Sequence, residues 1–351
     1  MSEIGKALKQ LKEDAYQEYK NEDKPNKRES LSYFGRCISY SSELIFKEKE
    51  IITFAILQIV CIALGYYLWV QMLDWIPEEV WKSTKDSDSG SPADIVLLLW
   101  SFFCVGLTTY PLGLLTACMG AAHFLHKNGE ESTIAKCFRI VLPRAWPIWV
   151  FSWLDGWWTV NRILERLPKK RDRISLSQKL VNEAIYQAWK IASLGFLSAL
   201  IIGRSVVDSC KDSLGVLKTN FKTICQLRIA YSVICWIFGI GSYVGAIFMA
   251  PYIFSHMSGD NDMYTFYKFV GFPMLIALFF IQVFFRPIYI ISACRIYSDY
   301  VRENNIKIEL PKVSKFSSTI IAFFVLVAII GTVFLYRDDL GITDLLSIPY
   351  K

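Results

Sequence analysis

The stretch Trp146-Pro-Ile-Trp-Val-Phe-Ser-Trp-Leu-Asp-Gly-Trp-Trp158 holds five of the chain's eleven tryptophans and a single acid, Asp155. Trp146, Trp149, Trp153 and Trp157 recur at steps of three, four and four, which places them along one helical face. Tryptophan prefers the headgroup level of a bilayer, where its ring is buried and its N–H stays wet. Arg144 and Arg162 bracket the segment with cations. The spacing therefore predicts a helix that lies at, or dips into, a membrane face. An aromatic cage for a quaternary ammonium is the alternative, but a cage needs rings converging from several directions and one face supplies a stripe.

The rest of the chain carries the same membrane signature. Of 351 residues, 53% are hydrophobic and 15% aromatic, with a mean hydropathy of +0.33. Uncharged runs cover Ile51–Leu73, Ile95–Ala122, Ile229–Ser255 and Phe316–Tyr336, and a further run, Phe269–Phe285, ends at Arg286. The first four exceed the roughly 18–20 apolar residues that cross about 30 Å of hydrocarbon as a helix. Helix is the open-ended structure that satisfies its own backbone in lipid. The expected fold is an all-α, polytopic helical integral membrane protein with five clear spans and two short re-entrant or interfacial segments, 145–160 and 184–203.

Charge sets the expected threading. Ten Lys and Arg lie within residues 1–50 and seventeen within 123–228, against two within 74–94. Basic loops favour the cytoplasmic side, so the N-terminus is expected inside and the C-terminus outside. Were 145–160 and 184–203 both to cross, the basic linker between them would lie outside, against that rule. Both are also interrupted early, by Asp155 and by Lys190 and Arg204, and are read as entering from the cytoplasm without crossing. The domains expected are cytoplasmic amphipathic helices over 1–50, a membrane domain over 51–300 with a basic cytoplasmic hairpin at 161–184, a linker at 301–315, an added span at 316–336, and an external tail at 337–351. Residues 31–50, with Phe34, Ile38 and Ile45 apolar and a charged end meeting the membrane, read as an interfacial helix feeding the first span.

Arg286 is the most unusual ionisable residue. It interrupts an apolar run, is followed by Pro287, and has Gln282 one turn before it on the same face. An intramembrane charge is a functional-site signal. Partial snorkelling towards Arg295, about 13 Å away at helical rise, is the structural alternative. Asp155 is its most interesting partner in the sequence. Arg286, Gln282, Asp155, Trp149, Trp153 and Trp157 are therefore the candidate ligand or lipid contacts. Lys169, Lys170, Arg171 and Arg173 form a candidate basic surface for anionic lipid or a partner protein.

Other chemistry is thin. The nine cysteines form no CxxC pair and read as small buried hydrophobes. His123 and His126 share a face without a third ligand, and no phosphate loop, nucleophile elbow or zinc motif occurs, so no metal, cofactor or catalytic residue is expected. The basic residues flank the spans rather than forming a nucleic-acid footprint. Small residues at Gly113, Ala117 and Ala121, and at Gly241 and Gly245, allow close helix approach, within the chain or in a homo-oligomer.

Two stretches resemble an uncharacterised bacterial family of multi-pass membrane proteins: "FGRCISYSSELIFKEKEIITFAIL" (34–57) its entry, and "MGAAHFLHKNGEESTIAKCFRIVLPRAWPIWVF" (119–151) with "AWKIASLGFLSALIIGRSVVDSCKDSLGVLKTNF" (188–221) its middle. The last is also similar to six-span domains such as the membrane part of some glycerophosphodiester phosphodiesterases. The resemblance implies a cytoplasmic-membrane protein and no particular chemistry. The expected role is a non-enzymatic accessory or scaffold subunit of a membrane complex. The alternative is a transporter or permease for a lipid-like or small organic substrate, with Arg286 touching it.

Overall fold

A computed structural model describes residues 27–73, 92–166, 176–256, 273 and 275–306, plus isolated positions at 328, 332, 336 and 341. The expected segments 1–26, 167–175 and most of 307–351 lie outside these residues, and with them the basic surface and the added C-terminal span. The chain is all-α, and no strand occurs among the described residues.

Nine α-helices follow in order among the described residues. They are α1 (Lys27–Lys47), α2 (Lys49–Leu73), α3 (Pro92–Lys127), α4 (Ile134–Val141), α5 (Ala145–Arg166), α6 (Leu176–Ala192), α7 (Leu194–Ile201), α8 (Val206–His256) and α9 (Arg286–Glu303). A 3₁₀ turn, Leu142–Arg144, joins α4 to α5, and a π-helical turn, Ile281–Phe285, leads into α9. By length and composition five described helical stretches can cross a membrane: Lys49–Trp69, Leu98–Lys127, Asn182–Ile201, Val206–Met249 and Leu275–Glu303. Four of these match expected spans. The fifth, Asn182–Ile201, was expected to enter without crossing.

The centre of the bundle is α3. Its antiparallel neighbour α2 is held by polar contacts at two depths: Gln58 Nε2 donates to Thr116 Oγ1 at 2.7 Å and to the Leu112 carbonyl at 3.2 Å, and Trp69 Nε1 donates to Ser101 Oγ at 2.9 Å. In lipid, apolar burial gives helices no net drive to associate, so close packing and interhelical hydrogen bonds must supply it, at about 0.6–2 kcal/mol per bond.

The tryptophan stripe sits on the other side of α3. Helix α5 runs antiparallel to it, with Trp149 Nε1 donating to the Gly106 carbonyl at 2.8 Å and Trp153 Nε1 to the Phe102 carbonyl at 3.0 Å. The helical face expected from the spacing is therefore present, but its partner is protein rather than lipid headgroups. Trp149 is buried, and Trp146 is the exposed member of the stripe. Glycines make the approach possible. A Cβ on Gly106 would stand 2.5 Å from the Trp153 ring, and one on Gly113 would stand 2.3 Å from Ser152 Oγ. Gly241 and Gly245, by contrast, have nothing within 4 Å, so the close packing expected there is not internal among the described residues.

The pair 145–160 and 184–203 also differs from two separate shallow insertions. The contacts step from Gly113 opposite Ile148 to Phe102 opposite Trp157, so α5 follows α3 towards its Leu98 end. Helix α6 returns beside it, Thr159 meeting Tyr186 at 3.3 Å and Asp155 meeting Lys190. The apolar runs were short because charges interrupt them, and those charges turn out to be paired inside the bundle.

The opposite, Lys127 end is capped consistently. Helices α3, α7 and α9 stop at left-handed residues, Gly129 (φ 77°), Gly203 (φ 91°) and Asn305 (φ 51°). At each a later N–H reaches back into the last turn, as with Arg204 N to the Ala199 carbonyl at 3.2 Å. Arg144 donates to the Gly203 carbonyl at 2.5 Å, tying the α4–α5 corner to the α7–α8 corner. Asp212 binds Arg204 Nε at 2.9 Å and accepts from Tyr297 at 3.0 Å. Helix α8, at 51 residues, is about 76 Å long and bends at Asn220, where φ is −120°. Its polar first half stands beside this cap.

Helix α1 packs on α9 rather than standing alone. Cys37, Ser41, Leu44 and Ile45 form its buried face, with Ser41 Oγ 2.8 Å from Ser292 Oγ, and Tyr33 donates to Asp299 at 2.9 Å. Burial raises the Cys37 thiol against the opposing pull of Arg295. Burial also pushes the Cys137 thiol in α4 up to about 12, with Glu50 and Glu48 adding to the effect. The thiolate is the nucleophile, so a raised pKa keeps these groups inert near neutral pH. A maleimide applied to the native protein near neutral pH is expected to modify exposed Cys210 and spare Cys37 and Cys137 until denaturant is added. Mass spectrometry of the peptides checks this, and early modification of Cys137 would mean that α4 is not seated as described.

Candidate functional site

Helices α2, α3 and α5 to α9 enclose a cavity of about 1010 Å³. Four charged side chains from four helices line it: Asp155 on α5, Lys190 on α6, Arg228 on α8 and Arg286 on α9. Three cations face one carboxylate.

Asp155 and Lys190 satisfy each other. Lys190 Nζ lies 2.7 Å from Oδ1 and 2.6 Å from Oδ2, and Trp189 Nε1 donates to Oδ1 at 3.1 Å. The side chains are only 28% and 16% exposed, so the pair exists because each member compensates the other's desolvation. Asp155 is thus not the partner of Arg286 suggested by the sequence, although both line the same cavity.

The two arginines have neutral partners. Arg286 Nη1 donates to Gln282 Oε1 at 3.1 Å and Nη2 to Thr116 Oγ1 at 3.5 Å. Gln282 Nε2 donates in turn to Gln58 Oε1 at 2.7 Å, so the expected Gln282–Arg286 pair extends into a polar chain across α9, α2 and α3. The π turn immediately before Arg286 widens the helix there, a feature that recurs at functional sites. Arg228 Nε donates to Gln187 Oε1 at 3.2 Å. Neither guanidinium has a carboxylate at ion-pair distance among the described residues. Tyr231 and Tyr289 stand one helical turn from Arg228 and Arg286 respectively, and their rings meet at 4.7 Å. The two guanidiniums thus flank a tyrosine contact between α8 and α9.

Of the sequence candidates, Arg286, Asp155 and Trp157 line the cavity, Gln282 orients Arg286, and Trp149 and Trp153 belong to the α3–α5 seam. Lys169, Lys170, Arg171 and Arg173 lie outside the described residues. Sequence reading passed over Lys190 and Arg228 because each ends an apolar run and looks like a boundary charge. Tyr231 and Tyr289 were passed over too, though their spacing of three from an arginine was visible.

The histidines are engaged elsewhere. His123 is buried between Tyr40 Oη at 3.2 Å and Ser298 Oγ at 3.3 Å, and His126 Nδ1 is 2.8 Å from Glu48, which also accepts from Ser132. Among the described residues no group of three His, Cys, Asp or Glu could hold a metal ion.

One end of the cavity is closed. At the Thr116 end, Ser198 and Cys294 are buried and 3.4 Å apart, and Ile201 packs over Gly120. At the other end Leu98 and Tyr66 are exposed. The arrangement can accept an anion from one direction and hold it against two guanidiniums in apolar surroundings. The chain matches no known family description, no curated protein and no solved structure.

Proposed function

We propose that this chain is a non-enzymatic, permease-type membrane protein whose cavity binds an organic anion. The observation that carries the reading is the pair of arginines without carboxylate partners, among the described residues, in a largely apolar cavity whose other two charges pair with each other. An unpaired charge at low dielectric is costly unless a ligand completes it, and intramembrane cations facing a cavity mark substrate paths. The internal Asp155–Lys190 pair adds no net charge, so the remaining attraction is for negative charge. A cavity closed at one end and open at the other is the shape one state of an alternating-access carrier requires. The scaffold reading rests on Lys169, Lys170, Arg171 and Arg173, which lie outside the described residues.

The reading includes an orientation. The Lys127 end gathers Lys47, Lys127, Arg204, Arg295 and Arg302 and is taken as cytoplasmic, in a bacterial inner membrane, with the Leu98 end outward. Helix α5 then ends at Arg166 and α6 begins at Leu176 on the outward side, so in this reading the 161–184 hairpin is not cytoplasmic as expected and is an exception to the basic bias.

Arg286→Gln and Arg228→Gln are each expected to lower anion binding or uptake by at least tenfold while membrane insertion and monodispersity are kept. Removing one charged hydrogen-bond donor from a desolvated site costs about 1.5–3 kcal/mol. The measurement is uptake into proteoliposomes across a panel of organic anions and cations. Transport of cations alone, or flux indifferent to both substitutions, would reject the reading.

A further inference from the structure

The cavity is elongated, and its chemistry changes along its length. Its lining on α3 runs from Leu98 to Thr116, about 27 Å at helical rise. Arg286 stands at the Thr116 end through its contact with Thr116. Asp155 and Lys190 come about midway, since a Cβ on the neighbouring Gly156 would touch Thr109 at 2.7 Å and Val105 at 3.4 Å. From Val105 to Leu98 the described lining carries no charged side chain. Of the polar atoms there, Trp69 Nε1 and Ser101 Oγ satisfy each other, and Thr159 Oγ1 bonds the Asp155 carbonyl and Tyr186 Oη. This half is therefore a largely apolar channel with no charged lining, and its mouth at Leu98 and Tyr66 faces the surroundings of the bundle.

We infer that the ligand is a single-tailed anionic amphiphile, a phosphate or carboxylate head held by Arg228 and Arg286 and an alkyl tail lying along α3 towards Leu98. The inference rests on the anion-binding reading above and adds the tail and its direction. Charge complementarity fixes which end takes the head. Arg286 stands at the Thr116 end, and Arg228 is bonded to Gln187, one turn from Lys190, at the level of the Asp155–Lys190 pair. No charged side chain of the described open half can compensate an anion. A planar guanidinium offers paired donors that match phosphate or carboxylate oxygens, so two of them can hold one doubly charged head. The Asp155–Lys190 pair marks the boundary between the two halves. Its carboxylate is already engaged by two donor groups, the Trp189 indole and the Lys190 ammonium, the latter on both oxygens, which leaves it little capacity to attract a cationic head. A tail in the open half finds van der Waals partners without displacing paired polar groups. Entry from the bilayer through the Leu98 mouth needs no aqueous step for the tail.

The test uses the full chain in nanodiscs of neutral phospholipid, with binding counted above that of empty nanodiscs. The probes are radiolabelled dodecyl phosphate, hexadecyl phosphate, ethyl phosphate and dodecyltrimethylammonium. Saturable binding of dodecyl phosphate at least tenfold tighter than that of ethyl phosphate is expected, with no saturable binding of the ammonium probe. The double variant R228Q/R286Q should weaken dodecyl phosphate at least a hundredfold. Val105→Phe, which narrows the tail half, should weaken hexadecyl phosphate at least tenfold and leave ethyl phosphate unchanged. Equal affinity for ethyl and dodecyl phosphate would overturn the tail while leaving anion binding in place. Tail-dependent binding indifferent to R228Q/R286Q would overturn the head assignment. Binding of neither phosphate would overturn both this inference and the reading beneath it.

Discussion

Asp155→Asn is expected to destabilise the folded protein by about 2–5 kcal/mol, the range for removing one partner of a desolvated charge pair. The substitution keeps the shape of the side chain and an acceptor for Trp189, so what it deletes is the negative charge between α5 and α6. Lys190, 16% exposed, is then left as a cation without its partner at 2.6 Å. Most of the cost is that orphaned ammonium rather than the lost attraction, because the pair as a whole roughly offsets its own desolvation. The double variant D155N/K190Q should therefore recover much of the loss, two neutral amides being able to bond across the same gap. Thermal unfolding of the purified protein in a membrane mimetic, run as a double-mutant cycle, measures this. A double variant as unstable as D155N would show that the pair contributes by geometry instead of by mutual compensation. Arg286 and Arg228 should behave oppositely. They have no carboxylate to strand, so Arg→Gln at either is expected to change stability by less than D155N does while removing ligand affinity. That separation between a structural and a functional charge is what the geometry of the cavity asserts.

These charges also show what a single sequence can and cannot reveal. The apolar runs at Ile51–Leu73 and Ile95–Ala122 lie inside α2 and α3, because a span that carries no paired or cavity-facing charge must stay apolar across the hydrocarbon. The run Ile229–Ser255 lies in α8, but its preceding residues 206–228 belong to the same helix and were invisible to hydropathy, being polar and packed against the cap. Local chemistry was legible: Gln282 and Arg286 sit one turn apart, and a four-residue separation fixes their contact within one helix. Pairing between helices was not. Asp155 and Lys190 are 35 positions apart, and their meeting depends on the register of α5 against α6. The same limit applied to the tryptophans. Their spacing fixed a face, but whether that face met headgroups or another helix depended on glycines in α3, forty residues earlier. Gly106 and Gly113, seven residues apart, both meet α5, and that spacing is the signal the sequence did carry for this packing seam; Gly120, seven further on, meets Ile201 and Cys294 of α7 and α9 instead.

Gly106→Ala tests that seam. An added Cβ would stand 2.5 Å from Cε2 and 2.6 Å from Cζ2 of Trp153, closer than real contacts allow. The indole has little freedom to retreat. It is stacked on Trp149 with ring centres 5.7 Å apart, lies 4.7 Å from the Phe102 ring, and donates to the Phe102 carbonyl at 3.0 Å. Either the hydrogen bond breaks or α5 moves away from α3. Overpacking of this kind costs about 1–3 kcal/mol, against about 1 kcal/mol that alanine gains over glycine in helix propensity. The net expected effect is destabilisation, larger for Gly106→Leu, with the cavity altered as well because α5 carries Asp155. Trp153→Phe removes the ring atoms that collide, so Gly106→Ala combined with Trp153→Phe should be more stable than the sum of the two single changes implies. Trp149→Phe is the control: it deletes the donor to the Gly106 carbonyl, costs about 0.6–2 kcal/mol, and should not rescue Gly106→Ala. If alanine at 106 instead stabilises the protein in the same unfolding assay, α5 does not pack on α3 through the tryptophan face, and the position of Asp155 in the cavity falls with it.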